Sequence, residues 1–151
     1  MCNILKFSER QLMSCLLFSA SLLVLLPVHA ADPLPAVSQH PVIGMWNWTL
    51  FDGKCNETLQ YRADGMLLST SGEAVSQWRY NIGQTPDAKG FYKAQYTSTR
   101  QNGKKDCYGD ATERVGTDTE NYIQLSPAND RLIVCKSQSL AACYGPLRRQ
   151  P

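Results

Sequence analysis

From residue 42 onward, apolar and polar residues alternate in short runs cut by turn-forming pairs. Val42–Phe51 places Val42, Gly44, Trp46, Trp48 and Leu50 on one face and Asn47 and Thr49 on the other. Asn56–Arg62 sets Leu59 and Tyr61 against Thr58, Gln60 and Arg62, and Asp64-Gly65 then forms a hairpin turn into Met66–Thr70. Ala74–Ile82 turns Ser76, Trp78, Tyr80 and Ile82 one way and Gln77, Arg79 and Asn81 the other. Phe91–Thr99 carries Tyr92, Ala94 and Tyr96 on one side, and Asn121–Leu125 and Arg131–Lys136 add two more runs. A period of two marks half-buried strands, and no stretch of a dozen residues sustains the helical period of 3.6. The pattern predicts seven strands and an eighth element at Ser139–Cys143, either a short strand or one helical turn. Hairpin-sized links make sequence neighbours sheet neighbours. Aromatics gathered on one face suit a sheet that closes around an interior. The expected fold is all-β, an antiparallel up-and-down barrel of about eight strands, with an open two-sheet sandwich as the alternative.

The first 41 residues have a different texture. Lys6 and Arg10 precede an apolar stretch, Leu12–Leu26; Pro27 ends it, and Val28-His29-Ala30 presents small residues for cleavage. This is the pattern of a secretory signal peptide over residues 1–30. The stretch is 15 residues long, short of the roughly 20 that span a bilayer, so no stable membrane insertion is expected after cleavage. Residues 31–41 form an arm punctuated by Pro33, Pro35 and Pro41, which prevent regular pairing. Residues 42–151 remain as a single domain, of a size that builds one core. The expected location is the periplasm or outside the cell, and the expected state is a monomer.

Export changes the charge and the cysteine count. Fifteen Lys and Arg less Lys6 and Arg10, against thirteen Asp and Glu less Glu9, leave a net of +1. No basic excess points to nucleic acid. Cys2 and Cys15 leave with the signal, and Cys55, Cys107, Cys135 and Cys143 stay. Four cysteines in an exported domain read as two disulfides with three possible connectivities. The short spacing favours Cys135–Cys143 as a local bridge, which leaves Cys55–Cys107 to close a long loop. The C-x-x-C spacing of a zinc site is absent, so no metal is expected.

Gly44-Met45-Trp46, at the head of the first strand, resembles the G-x-W signature of lipocalin-like (calycin-type) barrels, here of the small exported bacterial kind. The resemblance implies that Trp46 plugs one end of the barrel, with Gly44 allowing close packing and a terminal basic residue lying over the indole. Gly145-Pro146-Leu147-Arg148-Arg149 supplies that residue, assigned to Arg148 with Arg149 beside it.

Little in the sequence favours catalysis. His40 is the sole histidine after residue 30, and it sits in the Pro-rich arm, where a base is poorly held against a nucleophile. The carboxylates Asp52 and Glu57, and Asp106, Asp110 and Glu113, read as solvated loop groups, although Glu57 begins an inward-facing register. No catalytic residue, cofactor or metal is assigned. The aromatic stripe serves either a filled interior or a cavity, since a barrel of this size can hold one small ligand. Tyr61, Trp78, Tyr80, Tyr92 and Tyr96 are the candidate lining residues for a small apolar or aromatic ligand. The alternative is a protein-binding inhibitor of a secreted hydrolase, protease or lysozyme, acting through the arm or the loops. Small exported protease inhibitors are similar barrels whose N-terminal arm enters the protease cleft.

Overall fold

The computed structural model describes residues 39–50, 53–111 and 114–151. The signal segment, residues 31–38 of the arm, Asp52 and Glu113 lie outside the described residues. Eight strands follow one another as β1 (Gly44–Thr49), β2 (Asn56–Tyr61), β3 (Met66–Ser71), β4 (Ala74–Ile82), β5 (Phe91–Gln101), β6 (Asp118–Leu125), β7 (Arg131–Cys135) and β8 (Cys143–Arg149). Each pairs antiparallel with the next, and β8 returns to β1 to close the barrel. The fold is therefore an all-β, eight-stranded antiparallel closed barrel, not an open sandwich. Its architecture is consistent with the calycin-type fold in general.

The eighth strand lies further along than the alternation indicates. Ser139–Cys143 is mostly a bend, and β8 runs through Gly145-Pro146 to Arg149. Proline is tolerated in a strand where a bulge removes the demand for its N–H. The β7–β8 register shifts between Leu132 and Val134, opposite that dipeptide. On its other side β8 meets β1 through only Trp46↔Arg149 and Asn47↔Arg148. β5 and β6 are also longer than the alternation suggests, with a register shift near Gln77 and Trp78 as β5 bends toward its end.

The two ends of the barrel differ. Residues 39–43, the β2–β3, β4–β5 and β6–β7 turns and the C-terminus gather at one end. There Val42, Trp46, Ala94, Ile123, Leu132 and Leu147 are wholly buried. The cysteines pair as their spacing favours, Cys55 with Cys107 and Cys135 with Cys143, and both disulfides lie at the other end. The first ties the β1–β2 connection to the β5–β6 connection, and the second clips the base of the β7–β8 connection.

Candidate functional site

The closed end is built around Trp46. Its indole N–H donates to the Val42 carbonyl at 2.7 Å, and the guanidinium above the ring belongs to Arg149, 4.2 Å from the centroid. Arg148 is exposed and does not cover the indole, which corrects the assignment of the plug by one position. The reason is strand alternation: Leu147 points inward, Arg148 outward, and Arg149 inward again. Arg149 also donates to the carbonyls of Ile43 (2.7 Å), Asn129 (2.7 Å) and Pro41. Gly44 makes room for it. A Cβ at Gly44 would lie 2.6 Å from Nη1 of Arg149, and its φ of +136° is one that other residues rarely adopt.

His40 belongs to this closed end and not to a loose arm. It is 4% exposed, and its ring meets Tyr92 edge-on with centroids 4.6 Å apart. The Val42 N–H donates to Nδ1 at 3.1 Å, so the proton must reside on Nε2. Nε2 makes no well-formed hydrogen bond, although the Gly83 backbone lies near enough to favour protonation. Burial outweighs that and holds the imidazole below its usual range. No nucleophile stands beside it among the described contacts.

The opposite half of the interior is open. A cavity of about 1220 Å³ extends from the disulfide-bearing mouth down to Tyr61 and Tyr96. Of the five candidate lining residues, Tyr61, Trp78 and Tyr96 reach it, joined by Tyr144. Tyr80 and Tyr92 lie elsewhere. Tyr80 packs edge-on against Tyr61 and donates its hydroxyl to the Arg62 carbonyl at 2.7 Å; burial pushes its phenol up to about 12. Tyr92 is spent on His40.

The floor of the cavity is a pair of phenols. The hydroxyls of Tyr61 and Tyr96 lie 2.9 Å apart and share a hydrogen bond. One bond uses one of their two protons, which leaves a donor for a third partner. Burial raises both groups far above the ordinary phenol range, so both stay neutral. On the wall, Trp78 donates to Ser76 Oγ at 2.9 Å, and Tyr144 packs against Trp48 at 6.0 Å.

Glu57 is the carboxyl that β2 turns into this cavity, and it is half-buried rather than solvated; Asp106 and Asp110 line the rim from the loop. The Cys107 N–H donates to Ser71 Oγ at 3.1 Å, and Ser71 in turn donates to Glu57 Oε1 at 2.7 Å. Desolvation raises the Glu57 carboxyl, opposed by the Ser71 hydrogen bond and assisted by the Asp106 charge. The inward register of Glu57 was legible from the β2 alternation, whereas the loop that covers it was not. That loop is firmly tied. Asn102 accepts from the Val75 N–H at 3.0 Å and donates to the Glu73 carbonyl at 2.8 Å. Asp106 accepts from the Tyr108 and Asp110 N–H groups, both at 2.9 Å. Tyr108 stands at the rim, 61% exposed.

Among the described residues, no group of three or more His, Cys, Asp or Glu could hold a metal ion. No family model matches the chain, and no curated protein or solved structure matches it either.

Proposed function

We propose that this chain is an exported, non-catalytic, lipocalin-like binding protein that takes a small apolar or aromatic ligand into the mouth half of its barrel. The observation that carries this reading is the cavity of about 1220 Å³ walled by Tyr61, Trp78, Tyr96 and Tyr144. Ligand sites combine apolar and aromatic walls with a few placed polar groups, and here the phenol pair and Glu57 are those groups. The glycine, tryptophan and arginine at the closed end support the lipocalin-like part of the reading. The two disulfides and the signal-like leader support an oxidising compartment. The test is native mass spectrometry of gently purified protein, followed by tryptophan fluorescence titration with a panel of aromatic compounds. A retained or saturably bound ligand is the expected result. Protein that carries nothing, and whose Trp48 and Trp78 emission responds to no member of the panel, would reject the reading.

Tyr108 favours a second reading, an inhibitor of a secreted hydrolase. An exposed aromatic on a disulfide-anchored loop is a suitable protein contact. In that case Tyr108→Ala weakens inhibition of the target at least tenfold, while removal of residues 31–38 distinguishes an arm mechanism from a loop mechanism.

A further inference from the structure

We infer that the cavity is selective for a small organic cation, a protonated or quaternary amine carried on an apolar or aromatic body. The inference rests on the reading that the cavity binds a ligand at all, and adds the class of ligand. Its observation is the company Glu57 keeps. Glu57 enters the cavity beside aromatic walls. The groups acting on it are Ser71 and Asp106, neither of them a cation. Both ion pairs seen among the described residues, Arg62–Asp64 and Lys93–Glu120, lie elsewhere. Glu120 touches the cavity wall but commits its carboxylate to Lys93 at 2.9 Å. Lys136, the one basic residue on that wall, is exposed at the rim.

Three ligand charges can be compared. An anion would bring a further negative charge to a partly desolvated site already lined by Glu57, Asp106 and Asp110. A neutral ligand would strip water from Glu57 and return at most an uncharged hydrogen bond, which leaves a carboxylate poorly compensated. A cation replaces that water with an opposite charge and meets the negative ring faces of the aromatic walls. The Cys107–Ser71–Glu57 relay strengthens the case. The Ser71 hydroxyl receives the Cys107 N–H, so its own proton is directed at Oε1. The carboxyl is therefore held in one orientation, and the Cys55–Cys107 disulfide anchors the relay.

The test uses three probes with a common phenyl body: 2-phenylethylammonium, 2-phenylethanol and 3-phenylpropanoate, titrated by calorimetry at neutral pH and low salt. The ammonium is expected to bind at least tenfold more tightly than the alcohol, and the carboxylate more weakly than both. Glu57→Gln keeps the shape and the Ser71 contact; it should lower ammonium affinity at least tenfold, while the alcohol, relieved of desolvating a carboxylate, binds no more weakly than to the parent. Alcohol or carboxylate binding as tightly as the ammonium would overturn the cation class while leaving the cavity reading intact. Unchanged ammonium affinity in a folded Glu57→Gln protein would do the same. Failure of every probe to bind would overturn the cation inference together with the reading beneath it. The wild-type series decides the question alone if the variant does not fold.

Discussion

Arg149 concentrates several interactions in one side chain: the Trp46 face and three main-chain carbonyls. A guanidinium over an indole contributes about 0.5–2 kcal/mol, and hydrogen bonds from charged donors about 1.5–3 kcal/mol each. These are not additive, and Arg149 is partly exposed, so Arg149→Ala is expected to cost about 3 kcal/mol. Arg148→Ala, one residue away on the outer face, should stay within about 0.5 kcal/mol. Urea unfolding of the two variants checks the contrast, and equal losses would show that the plug does not depend on Arg149. His40 gives the same end a pH dependence. Its Nδ1 accepts from the Val42 N–H only when unprotonated, and burial lowers its pKa in the fold. The unfolded chain therefore binds the proton more readily. The contribution of His40 is complete above about pH 6.5 and is lost as pH falls from there toward the lowered folded value. Glu57, raised by desolvation, contributes with the opposite sign in more acid solution. His40→Asn retains Glu57, so comparing its denaturant midpoint with the parent's from pH 8 to pH 5 isolates the histidine. The parent should lose more stability across that window; parallel profiles would count against a buried neutral imidazole.

Strands were legible where alternation was uninterrupted. β4 shows this best: Ser76, Tyr80 and Ile82 are buried on the predicted face, with Arg79 and Asn81 exposed between them. β8 was hidden because Gly145-Pro146 has the composition of a turn, and only the bulge opposite it lets the strand continue. The choice between Arg148 and Arg149 depends on the phase of β8, so it is not legible where that strand is hidden. His40 was misplaced for another reason: proline content identifies an irregular segment but not whether its end docks. The cavity was half legible. Alternation gave the inward faces of Tyr61, Trp78 and Tyr96, but the depth of each along the barrel depends on strand stagger, which one chain's pattern does not carry. The two disulfides act on different elements and should differ in effect. Cys55–Cys107 spans 52 residues and Cys135–Cys143 spans 8. Chain entropy assigns them about 4 and about 2.5 kcal/mol respectively. Replacing each pair by serine and measuring thermal unfolding should show the larger loss for Cys55 and Cys107. Replacing Cys55 and Cys107 should also weaken binding of a cationic ligand, because Cys107 donates to the serine that orients Glu57. Unimpaired binding in a folded Cys55→Ser, Cys107→Ser protein would remove that disulfide from the site.

The barrel divides its interior between two tasks. At the closed end, Trp46, Leu132 and Leu147 fill the space and are fully buried; at the mouth, Leu59, Ser69 and Ser76 share a wall with open volume. This division makes opposite predictions for the same kind of substitution. Ala94 is fully buried at the filled end, and an added isopropyl group there has no vacant space. Ala94→Leu is therefore expected to destabilise the protein by about 1–3 kcal/mol through overpacking. Ser69 faces the cavity and makes no side-chain hydrogen bond among those described. Ser69→Leu adds apolar surface to a void and should leave the unfolding temperature unchanged or raise it. It should also weaken binding of an aromatic ligand by at least tenfold, because the new side chain occupies the ligand's volume. A gain of stability at the cost of function is the general consequence of filling a binding site. Thermal unfolding of both variants, with ligand titration of Ser69→Leu, measures the difference. A Ser69→Leu protein as destabilised as Ala94→Leu would mean that the mouth half is as tightly packed as the closed end. Unimpaired binding in a stable Ser69→Leu protein would place the ligand outside the barrel, at the loops around Tyr108.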